Sequence, residues 1–395
     1  MDTLADLIDT VRLELSPTLV RPEPLAGLRA AATRLAVDLT AFVGFEARLG
    51  DSDDAVDLAF NLSDSGLRRL AEAAPHPSWE RMSRLAQLWG EQADPPFSNG
   101  GELWIELDLG PETDFPAPNV FLAPSPGNRD GASLMRQARW ILQEAVPAFL
   151  GRPVSPAVEG HALEAMEAVG GNLSKFQIGL MGARPVDGLR LCLFGLSTAS
   201  LADVLSAASW PGDIAEPLSV ARRYGPLVDH LGLHLDIGPT LFPSFGLECL
   251  FDKSPFDYQP TDEPRWMDLL DCLVDDGRAT ADERDALLRW PGVSVDQSLV
   301  FAAALETLKS RPVAGADDAD RTTAGRVTRG LAYVKLGRDL RGKAVTKAYF
   351  GAYHDGRHAG GRHAGGRHAG GRHAGGRHAG GRHAGGRHAP EGTSP

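Results

Sequence analysis

One strand–turn–strand pattern occurs twice in the chain and decides the fold class. Residues 102–126 read ELWIELDLGPETDFPAPNVFLAPSP, and residues 231–255 read LGLHLDIGPTLFPSFGLECLFDKSP. When the two are aligned, Asp108-Leu-Gly-Pro matches Asp236-Ile-Gly-Pro. In each copy an alternating strand leads into a Gly-Pro turn, a loop and a second strand. This internal repeat predicts an architecture built from β-hairpins.

Three further segments have the same form and bring the number of hairpins to five. They cover residues 42–63, 174–197 and 330–353, and the last two read SKFQIGLMGARPVDGLRLCLFGLS and GLAYVKLGRDLRGKAVTKAYFGAY. Helical patterns separate the hairpins, including one with a capping box at Thr280-Ala-Asp-Glu283 and another near 295–311. Each strand alternates apolar with polar residues, so its apolar face suits a covering helix.

Closing such a sheet on itself removes its exposed edges and turns the polar faces toward a lumen. We therefore predict an α+β fold, an antiparallel β-barrel of about ten strands (five hairpins) surrounded by helices. Residues 1–354 are expected to form this single domain, and residues 355–395 a disordered C-terminal tail.

Composition and charge exclude several classes of protein. The formal net charge is −12; residues 351–395 carry +5, so residues 1–350 carry −17. An acidic body argues against nucleic acid as the partner, because phosphate binding needs clustered Lys and Arg. The acidic amino terminus is unlike a signal peptide, and a run of about 18 uncharged apolar residues is missing, so neither secretion nor a membrane span is expected. The three cysteines are expected to be buried reduced thiols in a cytoplasmic protein.

The tail consists of seven pentapeptides at residues 356–390, six Gly-Arg-His-Ala-Gly and a final Gly-Arg-His-Ala-Pro. It lacks large apolar residues and is expected to be disordered. Three interpretations remain open. The tail is a linker produced by repeat slippage, or a transition-metal site using imidazoles such as His358, His363 and His368. In the third, it is a covalently attached peptide substrate at an effective concentration in about the millimolar range.

Five antiparallel hairpins separated by helices, with a polar lumen, resemble the ABBA (PT-barrel) prenyltransferases over roughly residues 20–354. The resemblance implies transfer of an isoprenyl group from a diphosphate donor to a small aromatic or peptide acceptor. Family members bind the diphosphate through Lys, Arg and Tyr on the inner strands, and an acidic residue commonly accepts the acceptor's proton. No motif assigns a cofactor, although Mg²⁺ is the ion that an isoprenyl diphosphate would bring.

The family pattern is matched residue by residue on several strands. The diphosphate would be bound by residues of the last two strands and the third hairpin: Lys347, Tyr349, Tyr333, Lys335, Arg190 and Lys175. Several donors are needed because the leaving group bears about three negative charges. Glu106, beside Trp104, is the candidate proton acceptor. The fourth hairpin departs from the pattern with His234, Asp236 and Glu248, which weaken a diphosphate site or imply a cationic acceptor.

Other interpretations stay open. The same polar residues would face solvent if the sheet were half exposed, and a single bulge would invert a strand face. A second hypothesis is that the barrel is a non-catalytic ligand- or partner-binding protein with a metal-binding tail. Asp317-Asp318-Ala-Asp320 suggests a diphosphate–magnesium motif but fits a solvated loop better. A pentein fold ranks lower, because no Cys follows Cys272.

Overall fold

The computed structural model describes residues 1–50, 55–91, 101–108, 115–124, 131–170, 173–182, 188–251, 259–296 and 325–354. These residues contain eleven strands, which are β1 Phe42–Arg48, β2 Val56–Asn61, β3 Glu102–Leu107, β4 Asn119–Ala123, β5 Lys175–Leu180, β6 Leu189–Leu196, β7 His230–Ile237, β8 Leu241–Leu250, β9 Gly292–Val295, β10 Arg326–Arg338 and β11 Ala344–His354. The predicted hairpins are confirmed as β1–β2, β3–β4, β5–β6, β7–β8 and β10–β11.

Ten of the described strands close into a barrel. Neighbouring strands follow the order β1 to β8, then β10 and β11, and β11 pairs antiparallel with both β10 and β1. The predicted closed antiparallel barrel is therefore confirmed. The short strand β9 was not predicted; it pairs with residues 326–329 of β10, beside the stretch of β10 that pairs with β8. Because Val295 ends β9, the helix predicted near 295–311 does not begin there, and the rest of that segment lies outside the described residues.

Helices lie between the hairpins, and the described ones are α1 Leu4–Val11, α2 Pro22–Ala32, α3 Asp64–Glu72, α4 Glu80–Glu91, α5 Gly131–Trp140, α6 Val146–Leu150, α7 Pro156–Val169, α8 Thr198–Ala207, α9 Ala215–Tyr224, α10 Arg265–Asp275 and α11 Ala281–Arg289. A π-helical turn joins α5 to α6. The capping box predicted at Thr280 is confirmed. The N-cap of α3 is Ser63, whose hydroxyl accepts a hydrogen bond from Gly66 N at 3.0 Å.

The outer face of the barrel forms the hydrophobic core together with the helices. Phe45, Leu58, Leu107 and Leu336 are fully buried on this face. Each such side chain contributes about 1.5–3 kcal/mol to stability by leaving water. Trp290, which follows α11, closes one part of this layer, because its indole N–H lies 3.1 Å from the carbonyl oxygen of Gly330 and 3.2 Å from that of Gly351. Packing on one face thus leaves the other face of every strand free to line the lumen.

Other expectations have different outcomes. Cys192, Cys249 and Cys272 are buried free thiols, as expected. No helix in the described part of the chain is long and apolar enough to cross a membrane. The tail histidines His358, His363 and His368, and the acidic loop that begins at Asp317, lie outside the described residues. The division of the chain after residue 354 stays a prediction.

Candidate functional site

Strand register brings all ten barrel residues singled out in the sequence onto one face. Residues directly opposite one another on antiparallel strands point to the same side. Lys347 lies opposite Lys335, and Lys335 lies opposite Glu248. Continuing this comparison around the barrel places the following on the lumen face: Trp104, Glu106, Lys175, Arg190, His234, Asp236, Tyr333, Lys335, Lys347 and Tyr349. Their functional roles stay predictions.

Glu46 is the centre of one buried polar cluster, and the sequence reasoning missed it. Its carboxylate accepts hydrogen bonds from Lys347 Nζ and from the Tyr349 hydroxyl, and only 1% of the residue is exposed. Burial alone would raise the pKa of Glu46, but Lys347 and Lys335 hold it below its ordinary value overall. Glu46 is therefore an ionised partner of Lys347.

Two more carboxyl groups complete an acidic corner of the lumen. Each of Glu46, Asp57 and Glu106 offers a carboxylate oxygen, and these oxygens all lie within 4.8 Å of one another. Burial raises the pKa of Asp57 well above its ordinary value, and the Glu46 charge adds to this rise. Asp57 therefore holds its proton to a higher pH than an exposed aspartate does. The three oxygens are ligands that Mg²⁺ would accept, but the same carboxyl groups raise the pKa of Lys347 overall, against the effect of its burial. The Lys347 ammonium is thus the cation that compensates the corner.

A second ion pair crosses from β6 to β7. Arg190 donates to both carboxylate oxygens of Asp236, at 2.8 and 3.2 Å, and the Ser244 hydroxyl donates to the same carboxylate at 2.8 Å. Burial works against ionisation of both partners. Nevertheless, Arg190 and the Ser244 hydroxyl lower the pKa of Asp236 to about 2, and Asp236 raises that of Arg190. A bidentate pair of this kind fixes the guanidinium rigidly.

His234 and Glu248 form a third contact on β7 and β8. His234 Nε2 lies 2.7 Å from Glu248 Oε1, and both side chains are buried. Burial lowers the pKa of His234 to about 4, and the nearby Lys335 contributes to this shift. The imidazole is therefore neutral at pH 7. Cys192 faces it from the adjacent strand, and burial raises the pKa of this thiol, so it is not a ready nucleophile.

Among the described residues, Lys335 differs from the other lumen cations in having no counter-ion at contact distance. Lys347 pairs with Glu46, Arg190 with Asp236, and Lys175 with Glu102 at 2.6 Å. Within the described ranges, no carboxylate lies within ion-pair distance of Lys335, which is 8% exposed. Its Nζ donates a hydrogen bond of 3.4 Å to the Tyr349 hydroxyl and lies 5.8 Å from the centre of that ring.

The path of the Lys335 side chain depends on a glycine across the strand pair. A Cβ atom built at Gly246 would lie 2.9 Å from Lys335 Cε and 3.3 Å from His234 Cβ. Real Cβ atoms do not approach other heavy atoms as closely as 2.9 Å. Glycine at position 246 therefore makes room for the lysine to cross β8.

Aromatic rings line the rest of this face. Tyr333 and Tyr349 stack with ring centres 4.2 Å apart, and Phe42 meets Trp104 edge to face at 5.8 Å. The Trp104 indole N–H donates to Glu102 at 2.9 Å. Both tyrosines are half buried, so their rings retain surface open to the lumen. Such faces suit a flat apolar molecule or a cation.

Alternation along the first hairpin contained the signal for the two missed carboxyl groups. In Phe42-Val-Gly-Phe-Glu46 the glutamate shares its face with Phe42, while Phe45 and Val43 are on the core side. Asp57 lies directly opposite Glu46 in the register of β1 and β2. The same period-two reasoning that selected Glu106 would therefore have selected both.

Comparison with known proteins gives a fold likeness. No protein-family model matches the chain, and no curated protein sequence matches it significantly. The 5-dimethylallyltryptophan synthase from Streptomyces coelicolor is 13% identical, with a TM-score of 0.45 over 88% of this chain and 97% of that one. The apo form of prenyltransferase PriB is 15% identical, with a TM-score of 0.47 over 88% and 96%. A 6-dimethylallyl tryptophan synthase is also 15% identical, at 0.47 over 88% and 94%.

The expected resemblance is thus confirmed as a likeness to prenyltransferase structures. At these identities and TM-scores, the likeness does not assign an activity to this chain.

Proposed function

We propose that the barrel transfers an isoprenyl group from a diphosphate donor to a small aromatic or peptide acceptor in its lumen. The observation that carries the proposal is the group formed by Lys335, Tyr333 and Tyr349. In this group an ammonium without a close counter-ion among the described residues lies beside the Tyr349 hydroxyl and two stacked rings. A departing diphosphate needs such donors, and an allylic cation is stabilised by aromatic faces.

The acidic corner supplies the proton acceptor. Glu46 is held ionised by two hydrogen bonds and has a lowered pKa, which makes it a weak base. The raised pKa of Asp57 favours its protonated form, which cannot accept a further proton. Glu106, on the same face and within reach of both, therefore remains the group that would accept the acceptor's proton, with Trp104 two residues away on its strand to stack on an aromatic acceptor.

The proposal requires ion pairs to open when the donor binds. Lys347, Arg190 and Lys175 are each matched by one carboxylate. For these cations to bind the diphosphate, its oxygens must displace the carboxylates from their ion pairs. The donor is then held first by Lys335, and the neighbouring Lys347 and Arg190 join it only at the expense of their pairs.

Thermal unfolding of the full-length protein with dimethylallyl, geranyl and farnesyl diphosphates tests the proposal. A ligand at 100 times its dissociation constant stabilises the folded state by about 2.7 kcal/mol. We expect the shift in the wild type and its loss in Lys335→Met, whereas Lys343→Met, at an exposed turn position, keeps it. A donor-induced shift that survives in Lys335→Met would refute the assignment of the donor site.

A second candidate is a barrel that binds a ligand or partner without diphosphate chemistry. The pairing of three lumen cations with carboxylates favours it, as does a corner with three carboxyl groups around one ammonium. Such a lumen suits an aromatic amine better than a diphosphate. The same thermal series with tryptamine distinguishes the candidates, because only the second predicts stabilisation by the amine and none by any diphosphate.

The tail would add metal binding in this second case. Imidazoles such as His358, His363 and His368 suit nickel, copper or zinc. Calorimetric titration of the full chain and of a chain ending at residue 354 with each metal ion tests this; equal binding by both chains would contradict it.

A further inference from the structure

Three features of Lys335 favour the neutral form of its amine. Only 8% of the residue is exposed, and no carboxylate in the described part of the chain contacts its ammonium. A second lysine also faces it from the neighbouring strand. Lys347, that neighbour, is compensated by Glu46. A buried amine beside a fixed positive charge is favoured in its neutral, nucleophilic form.

We propose that Lys335 is a nucleophilic amine that forms an imine with an aldehyde or ketone bound in the lumen. This activity does not rest on the proposed isoprenyl transfer. A diphosphate bound at Lys335 would instead keep the side chain as an ammonium, so the two ligands would exclude each other.

The electrostatic surroundings of Lys335 agree with the proposal. Burial lowers the pKa of Lys335 first, and the positive charges of Arg190 and Lys347 lower it further. The carboxylates of Glu46 and Glu248 act in the opposite direction without reversing the shift. The titratable and charged groups that face it are Arg190 and Cys192 on β6, His234 and Asp236 on β7, Glu248 on β8, Lys347 and Tyr349 on β11, and Glu46 on β1. More of its amine is therefore neutral near pH 8 than in an exposed lysine.

A proton path leads away from the nitrogen. Lys335 Nζ lies 3.4 Å from the Tyr349 oxygen, and the Tyr349 hydroxyl donates to Glu46. Burial raises the pKa of Tyr349, so its hydroxyl keeps a proton that it can relay. The chain from amine to phenol to carboxylate is therefore an acid–base relay of the kind that imine formation uses.

The reaction balances without a further reagent. The Nζ lone pair attacks the carbonyl carbon, and the carbonyl oxygen takes up the proton that leaves nitrogen, giving a carbinolamine. The carbinolamine hydroxyl then leaves as water, with a proton delivered by Tyr349, while a nitrogen–carbon double bond forms. The remaining proton on nitrogen returns to Tyr349, which restores its hydroxyl. The net change is one amine and one carbonyl converted to one imine and one water.

The lumen walls define the class of carbonyl compound. Tyr333 stacks on Tyr349 beside the amine, and Phe194 lies edge to face with His234 at 6.3 Å. Flat rings of this kind accept an aromatic or conjugated body. The carboxyl groups Glu46, Asp57 and Glu106 disfavour a ligand that carries its own carboxylate. A neutral aromatic aldehyde is therefore the expected type.

The test uses the full-length protein, benzaldehyde and sodium cyanoborohydride, which reduces an imine to a stable amine. The chain has only six lysines, so peptide mapping by mass spectrometry locates every adduct. We expect the adduct at Lys335 to reach its plateau at lower pH than the adduct at exposed Lys343, which serves as the internal control. Lys335→Met should lose this adduct, and Tyr349→Phe should slow its formation while leaving labelling of Lys343 unchanged.

Several outcomes would overturn the proposal. They are labelling of Lys335 that follows the same pH profile as that of Lys343, an undiminished total yield in Lys335→Met, or an equal rate in Tyr349→Phe. If Lys335→Met does not fold, site mapping of the wild type decides alone. Dimethylallyl diphosphate added as a competitor separates this inference from the proposed transfer. If the adduct at Lys335 forms equally well with and without the diphosphate, Lys335 is a reactive amine but not the donor site.

Discussion

Removing Glu46 should cost much less stability than removing its partner Lys347, because Asp57 can replace the lost charge. The ammonium of Lys347 is surrounded by Glu46, Asp57 and Glu106. Taking away one partner of a buried ion pair ordinarily costs about 3–5 kcal/mol, since the other charge is left uncompensated. Lys347→Met should show this full cost, because the carboxyl groups then have no ammonium among them.

Glu46→Gln should show only part of this loss of stability. Burial raises the pKa of Asp57, and the Glu46 charge is the second cause of the rise. With a neutral side chain at position 46, the positive charge of Lys347 favours release of the Asp57 proton to solvent, and the new carboxylate pairs with the ammonium. Gln also retains an oxygen that accepts from Tyr349. We therefore expect a loss of about 1–2 kcal/mol, the scale of a hydrogen bond to a charged group.

The double variant Glu46→Gln/Asp57→Asn removes the substitute charge and should restore the full cost of about 3–5 kcal/mol. The assay is urea unfolding at pH 7, followed by tryptophan fluorescence and circular dichroism, with m-values compared to exclude changes in the denatured state. If Glu46→Gln costs as much as Lys347→Met, or if the double variant equals the sum of its single variants, Asp57 does not replace Glu46 and the reasoning is wrong.

Three further predictions concern pH and packing. In the unfolded chain Asp57 ionises above about pH 4, whereas in the folded protein it keeps its proton to higher pH. The stability of the wild type should therefore fall as pH rises above about 4. Denaturation series between about pH 4 and 9 should show this fall in the wild type but not in Asp57→Asn. His234 binds a proton near pH 6.5 when unfolded but only near pH 4 when folded, so acidification through this window should cost on the order of 3 kcal/mol, which His234→Gln should abolish. Gly246→Ala should displace Lys335 and lower the benzaldehyde adduct, at a cost of about 1–3 kcal/mol measured by urea unfolding; an unchanged adduct yield would show that the lysine does not need the glycine.

Much of the barrel could be predicted because its signals are local. Period-two alternation marks each strand, and Gly-Pro and other turn sequences separate the partners within a hairpin. The ten lumen residues named from the sequence share one face for the same reason, since a strand has only two faces. Between Leu331 and Tyr333 a register irregularity interrupts the β10–β11 pairing, yet Tyr333 and Tyr349 still face each other beyond it.

The pairing of charges could not be predicted, because it depends on the register between distant strands. Glu46 and Lys347 are 301 positions apart and meet only where β11 closes onto β1. A shift of one residue at that seam would turn Lys347 to the outside. No local pattern fixes that seam, and the same holds for Arg190 and Asp236. Strand β9 was missed for a related reason, since four residues are too few for alternation to be informative.

Lys335, unlike its paired neighbours, should lower the stability of the barrel at neutral pH. The unfolded chain binds a proton at Lys335 below about pH 10.4, whereas burial and two nearby cations oppose that proton in the folded state. Stability should therefore decrease as pH falls from about 10.4 to the lowered folded pKa, and the deficit persists at pH 7. Lys335→Met removes the charge and keeps most of the side-chain volume, so it should raise the melting temperature at pH 7 while abolishing the adduct. A lowered melting temperature would mean that Lys335 supports the fold through Tyr349, and that its position needs no functional explanation.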